Sequence, residues 1–327
     1  MGTEFSPTLG GILYGRTGYA GVFGVGIALV VVDLLLRLLI IEKKTALKYQ
    51  NASVDSERDI HSDQGDGNTG SQDTEETPLL TAPKQPSDDK AKYVFAKPPP
   101  KWIKKVSILT CAHDPALLTA WFIAFVQSFT IAAFDSTLPI VASDYYNFNA
   151  FDAGLLFLAL GGPFFVFGPI AGYLTDRFGT KLPTVVGFTM LVPVLTCFRF
   201  VRPGGSKEVA VYAVLLVLSG TGVTPAGAAS VVEAGAVVER YYKANLDFFG
   251  ETGPYAQLYG VNSMVVSLGF TIGPLFAGGL KESIGYGNMN AALAILCGVS
   301  AILSAMYIGE WYDFRGKSSA LEVPENE

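Results

Sequence analysis

Charge is what this 327-residue chain lacks most. Asp, Glu, Lys and Arg make up 16% of it, against 50% hydrophobic residues and a mean hydropathy of +0.37. Soluble domains average about 25% charged residues, so a water-facing surface along the whole chain is excluded. The charge that exists is segregated: residues 42–105 hold about half of the 23 Lys and Arg. The net charge of −6 sits largely in solvated ends and loops and implies no nucleic-acid partner. Cysteine is also scarce. Cys111, Cys197 and Cys297 are an odd count, the last two inside apolar runs, which excludes a disulfide framework and a cysteine metal cluster. There is no metal-ligand spacing, no nucleophile–base pair and no phosphate-cradling glycine loop between strand and helix, so no enzyme and no cofactor is expected. The first apolar run, about 22 residues from Ala20, is too long for a cleaved signal peptide.

What is abundant is long apolar runs. Crossing a bilayer takes about 20 apolar residues as a helix. Seven stretches qualify: 20–41, 116–142, 152–174, 183–202, 209–238, 256–280 and 289–311, the fifth interrupted by small and polar residues. The fold class expected is therefore all-α, a multi-pass membrane bundle. Lys and Arg orient it. With Lys43 and Lys44 in the cytosol, alternation also places Lys101, Lys104, Lys105, Arg177, Lys181, Arg240, Lys243 and Arg315 there. Little more than Arg202, Lys207 and Lys281 falls outside. Trp102, Trp121 and Trp311 come near cytosolic ends and Tyr145 and Tyr146 near an outer end, as an aromatic belt predicts.

The hydrophilic stretch 42–114 has too few apolar residues to offset its ordering entropy and reads as a disordered cytosolic loop. A glycosylation sequon at Asn51 then faces the wrong compartment. Within the loop "EETPLL" resembles an acidic dileucine sorting signal, and "KWIKKVSIL" (101–109) reads as a short basic helix along the membrane surface. Residues 313–327 read as a cytosolic tail.

"GYLTDRFGTK" links the third and fourth spans. Asp176, Arg177 and Lys181 would each cost about 2.5–3.5 kcal/mol at mid-bilayer, which places them in a tight turn, while Gly172 and Gly179 allow close approach and positive φ. "SLGFTIGPLFAGG" combines the small-residue face Gly269-x-x-x-Gly273 with Pro274, Gly278 and Gly279. "PTLGGILYGRTGY" near the start echoes "PLFAGGLKESIGY", each reaching Gly-Tyr at the same offset from its proline.

These phrases resemble the major facilitator superfamily. Gly172-x-x-x-Asp176-Arg177-x-Gly179-x-Lys181 is similar to its loop signature, with Thr180 replacing one basic residue. The resemblance implies that Asp176 and Arg177 form a charge latch to a neighbouring helix end. Gly273-Pro274 with Gly278-Gly279 resembles the antiporter motif with one extra residue, and Pro7-x-x-Gly10-Gly11 has that motif's own spacing. By that likeness residues 1–41 are the end of helix five and helix six, 42–114 the central loop, and 115–312 helices seven to twelve. The lobe holding helices one to four is then missing, and the chain is expected to be a truncated form. The sixth-helix stretch further resembles fungal twelve-span drug:proton antiporters, related to the vesicular amine transporters.

Ionisable groups inside spans are functional candidates. Asp33 and Arg37 stand one turn apart, and with Arg37 able to reach the surface a structural ion pair is the better reading. Asp135, in "FDSTLPIV", has no Lys or Arg within a turn along its helix, and Pro139 cannot donate to its carbonyl. Carboxylates in dry sites hold protons more readily, as proton coupling requires. In the vesicular amine transporters an acidic residue precedes the same xxLP pattern and belongs to the central cavity. An aqueous-vestibule position near the outer end is the alternative. Glu233 either pairs with a loop cation or lines the path. Gln127, Asn262 and Ser263 either bond across helices or contact substrate, with packing favoured for Gln127 and cavity lining for Asn262.

The function expected is proton-coupled efflux of small amphipathic organic molecules (drugs, toxins or secondary metabolites), driven by the proton gradient, in the plasma or vacuolar membrane. The partners expected are lipid, a small-molecule substrate and the other lobe. A non-transporting membrane scaffold or receptor whose loop recruits partners is the alternative.

Overall fold

The structure is a computed structural model and describes residues 2–39, 93, 107–249 and 253–309. Every element among them is helical. Seven helical stretches are long and apolar enough to span a membrane: Thr17–Arg37, Pro115–Tyr146, Ala150–Phe178, Lys181–Phe200, Ser206–Ala244, Tyr255–Ile284 and Tyr286–Tyr307. One answers each expected span, and the all-α multi-pass bundle is what the chain adopts. It divides into two compact units, Met1–Gly15 with Gln85–Glu327, and Arg16–Lys84.

Helix α1 (Gly2–Leu39) begins in the first unit and continues into the second, and its backbone leaves helical geometry at Gly18 (φ 65°, ψ −162°). In the second unit Arg37 Nε donates to Asp33 Oδ2 at 2.8 Å, the exposed i, i+4 ion pair that the spacing suggested. The division between the two units falls inside the expected piece 1–41. Its first residues group with the larger unit, where Gly11 is buried: a Cβ there would lie 2.5 Å from the Ala150 carbonyl oxygen.

The larger unit holds α2 (Ile108–Cys111), α3 (Pro115–Tyr146), α4 (Ala150–Phe178), α5 (Lys181–Cys197), a 3₁₀ turn (Phe198–Phe200), α6 (Ser206–Ala244), α7 (Leu246–Phe249), α8 (Tyr255–Ile284) and α9 (Tyr286–Tyr307). Its connections are short because the termini are capped locally. Asp114 caps α3 by accepting from the Ala116 amide, with Pro115 as the first helical residue. Asn147 ends α3 in the left-handed conformation (φ 53°), and Asn149 then caps α4 through the amides of Phe151 and Asp152.

Two turns require glycine. Gly179 (φ 83°, ψ 170°) separates α4 from α5, and Gly285 (φ 84°, ψ 161°) separates α8 from α9, both in a region open essentially to glycine alone. The echoed phrases now have a common structural element. Gly18 and Gly285, the glycines of the two Gly-Tyr pairs, are both positive-φ breaks between helical segments.

Prolines lie inside α3, α4, α5, α6 and α8, as membrane helices tolerate when neighbours satisfy the freed carbonyls. Lipid is as apolar as leucine, so close approach rather than hydrophobic exclusion holds these helices together. Central α6 meets α4 at Gly220 and α5 at Gly222; a Cβ at Gly220 would run into the Leu160 carbonyl oxygen. One end carries Arg177, Lys181, Arg240 and Lys243 and is called the basic end below. The opposite, aromatic end packs Tyr145, Tyr146, Phe198, Tyr212 and Tyr286 together, with the hydroxyls of buried Tyr212 and Tyr286 3.1 Å apart. Lys281 Nζ also donates to Asp144 Oδ2 there at 3.1 Å.

The expectation of a disordered 42–114 is corrected at its far end. Ile108 and Cys111 of α2 are fully buried, and Tyr93 is 9% exposed, because apolar side chains at these positions find partners on α6 and α8. Residues 42–92 and 94–106 of that loop, with Asn51, the dileucine-like segment and most of the expected surface helix 101–109, and the tail 313–327 lie outside the described residues.

Candidate functional site

At the basic end the α4–α5 turn is the best-defined polar site. Glu233, on α6 and 3% exposed, accepts from Thr180 Oγ1 at 2.5 Å through Oε2 and from the Gly309 amide at 3.4 Å through Oε1. Lys181 is buried alongside, close enough for the two charges to interact. Three elements, the α4–α5 turn, α6 and the end of α9, thus converge on one carboxylate.

Asp176 and Arg177, expected to form the latch, stay on the surface. Arg177 Nη1 donates to the Tyr173 hydroxyl at 2.6 Å, and its guanidinium lies over the Tyr173 and Phe178 rings at 5.9 and 5.6 Å. Among the described residues the buried contact belongs to the neighbours Thr180 and Lys181. Gly172 and Gly179 have open space around them, and only Gly179 needs its φ. The Lys181 expected in a water-facing turn is 6% exposed because the turn folds under α6.

Parallel helices α3 and α8 meet along a glycine seam. A Cβ on Gly269 would lie 2.8 Å from the Phe125 carbonyl oxygen, and one on Gly273 2.7 Å from that of Phe129. Gly278 and Gly279 differ from the expectation of packing, since a Cβ on either meets nothing within 4 Å. Pro274 sits between the two sets inside a continuous α8.

The polar residues of the spans do not gather in one place. Gln127, at mid-helix on α3, donates to the Val223 carbonyl of α6 at 3.5 Å, and its amide lies against Gly227. Asp135 lies two turns further toward the aromatic end, about 12 Å along the axis. It is half-buried and engaged by an interaction of its own. Asn262 is half-buried in the third of α8 nearest the basic end, and Ser263 is exposed beside it. Glu233 belongs to the sealed turn described above, away from Asp135. An open groove of about 340 Å³ between α3, α8 and α9 is lined only by apolar residues, among them Phe125, Phe129, Phe276, Ile295 and Val299, and offers no group to orient a polar ligand. Among the described residues no cluster of His, Cys, Asp and Glu could hold a metal ion.

The profile of the Major Facilitator Superfamily matches residues 1–243. The chain belongs to the major facilitator superfamily. Two relatives, each named "MFS-type transporter ppzB", come from Metarhizium majus (strain ARSEF 297) and Metarhizium rileyi (strain RCEF 4871). They are 37% and 35% identical over 94% of this chain, which spans 69% and 66% of their own lengths. A third, named "Uncharacterized MFS-type transporter C18.02", from Schizosaccharomyces pombe (strain 972 / ATCC 24843), is 28% identical over 93% of this chain and 63% of its own. As a member of the superfamily the chain is an integral, multi-pass membrane protein.

Two participants escaped the sequence reading. Thr180 was visible only as a departure from the superfamily's loop signature, and the departure is informative: a neutral hydroxyl donates where a basic residue is usual. Trp121 read as a belt residue, yet its indole nitrogen is buried.

Proposed function

We propose that the chain carries out, as part of a two-lobed carrier, proton-coupled export of small amphipathic organic molecules. Membership of the superfamily and the transporter names of its relatives support transport. The observation that carries proton coupling is Asp135: a half-buried carboxylate inside a membrane-spanning helix, four residues before Pro139, which has no N–H of its own to donate. Such a group is costly in the membrane unless it has a task.

In this reading substrate binds near the midplane between two lobes, and one lobe rocks against the other. Asp135 takes up a proton from one side and releases it to the other as the lobes rock. The Thr180–Glu233–Gly309 contact closes the cytosolic ends of α5, α6 and α9 in one state of the cycle. The apolar groove lends no specificity, consistent with amphipathic cargo recognised largely by shape and a few polar contacts. The bilayer is the plasma or the vacuolar membrane.

The test is export driven by an imposed pH gradient in vesicles carrying the intact gene product, with and without Asp135→Asn. Proton-driven flux should vanish in the variant while exchange without a gradient persists. Equal gradient-driven flux in both proteins removes Asp135 from coupling.

A further inference from the structure

Helix α2 is four residues long, and no side chain caps its N-terminus. Its hold on the lobe is nevertheless specific. The Ile108 amide donates to Gln257 Oε1 of α8 at 3.1 Å, and Ser107 Oγ donates to the same oxygen at 3.4 Å. Ile108 and Cys111 are fully buried in one apolar cluster with Leu117 and Ala120 of α3, Ala234, Val237 and Val238 of α6 and Leu258 of α8. The turn residues Ala112 and His113 join α2 to Asp114, the cap of α3, whose Oδ2 accepts from the Tyr241 hydroxyl of α6 at 3.4 Å. Thus α2 is wedged among the basic ends of three spans, and the joint behind it is pinned to α6 by a separate bond.

Three features favour release of this wedge over the rest of that end. A helix of four residues is too short to persist without its seat. Among the described residues its hydrogen bonds to α8 end on one side-chain oxygen, so one rotation of Gln257 gives up both. Seating also leaves Thr110 Oγ1 buried with no hydrogen-bond partner among the described residues, a cost recovered when the hydroxyl returns to water. The adjoining residue of α6 makes the contrast. Glu233, next to Ala234, is bonded by the α4–α5 turn and by the end of α9, so parting that contact moves whole spans. Parting α2 from Ala234, Val237 and Val238 moves four residues. Units held by so few contacts open well below the free energy of global unfolding.

We propose that α2 is a detachable wedge: it leaves its seat as a unit, hinging at Ala112 and His113 while the spans stay folded, and its seating closes the basic ends of α3, α6 and α8. That this closure serves export rests on the transport reading; the detachment does not.

Cys111 is a built-in reporter, because its thiol is buried in the seat. The intact chain carrying Cys197→Ser and Cys297→Ser is held in lipid nanodiscs and labelled with maleimide at pH 8. The comparison protein carries Cys111→Ala and Thr184→Cys in the same background, which puts the one thiol at a fully buried position of α5 near the same end. Cys111, slow as it is, should react at least about tenfold faster than the thiol on α5, since a tenfold difference needs only one net hydrogen bond's difference in opening. Gln257→Leu deletes both bonds to α8 and should raise the Cys111 rate about tenfold further, leaving the α5 thiol and the melting temperature where they were. Equal rates at the two positions, or a rise shared by both, means that α2 opens only with the lobe and overturns the wedge. The first comparison stands even if Gln257→Leu does not fold. The rise at Cys111, set against the melting temperature, decides the matter if Thr184→Cys does not. No flux is measured here. Loss of pH-driven export with the Cys111 preference intact therefore strikes the transport reading alone, and loss of that preference strikes the wedge alone.

Discussion

Thr180 Oγ1 and Glu233 Oε2 lie 2.5 Å apart across 53 residues of chain, and Glu233 is 3% exposed. An acceptor in so dry a place depends on its donors, because leaving a buried polar group without a partner costs about 1–3 kcal/mol. Thr180→Val keeps the shape and deletes the hydroxyl. It should lower unfolding stability by that amount, and Thr180→Ser by less than half of it. At about 2–4 °C per kcal/mol for a unit of this size, thermal-shift melting of purified protein separates the two. A Val variant that melts with the unmutated chain would show that the carboxylate is held without Thr180.

The seam between α3 and α8 gives a contrast within one motif. Gly273→Ala places a Cβ 2.7 Å from a backbone carbonyl that cannot swing away, whereas Gly279→Ala meets nothing within 4 Å. Overpacking a fixed backbone costs about 1–3 kcal/mol, while Ala in an open helical position gains up to about 1 kcal/mol over Gly. The two substitutions should move the melting temperature in opposite directions. Equal shifts would mean that the glycine pair beyond Pro274 is as closely packed as the pair before it.

Much of this lobe was legible because membrane helices are written in length and apolarity, properties of a contiguous stretch. The echoed Gly-Tyr phrases were legible too, since a positive-φ turn can be met by only one residue type, and Gly18 and Gly285 both supply it. What escaped depends on partners far along the chain. Nothing near Glu233 in sequence says that Thr180 reaches it. Asp176 and Arg177, inside the most recognisable motif, remain on the surface while their less conspicuous neighbours are buried. Tyr93 stands in a hydrophilic stretch whose average composition hides one ring with a docking place.

Cys111 supplies a pH test. Burial, then the negative charge of Asp114, pushes its thiol from 9.0 up to about 12. At pH 8 the thiolate fraction falls from about a tenth to about one in ten thousand, and the thiolate is the reactive form. In a Cys197→Ser, Cys297→Ser background, maleimide labelling of the folded protein should therefore be about a thousandfold slower than after denaturation. The folded state holds this proton more tightly than the unfolded one, so its contribution to stability is intact below pH 9. It falls as pH rises from 9 toward 12, by at most about 1.4 kcal/mol per pH unit. Rapid native labelling at pH 8 would contradict the burial.

Among the described residues, Asn245 and Tyr241 tie Tyr93 to the end of α6. Its carbonyl accepts from Asn245 Nδ2 at 2.8 Å, and its ring meets Tyr241 edge-on with centroids 5.1 Å apart. Asn245 also donates to the Tyr241 carbonyl at 3.0 Å, so one amide joins the loop residue to the helix end. An aromatic pair adds about 0.5–1.5 kcal/mol and a hydrogen bond a similar net amount, a modest hold on Tyr93. Lys90, Lys92 and Lys97 flank the anchor in sequence. Tyr93→Ala should raise the rate of tryptic cleavage at these lysines roughly tenfold, the factor that 1.4 kcal/mol of lost anchoring gives when cleavage follows the open population. Asn245→Ala, which keeps the ring contact, should produce a smaller rise. Cleavage as fast in the unmutated chain as in Tyr93→Ala would show that the segment is not held at Tyr93.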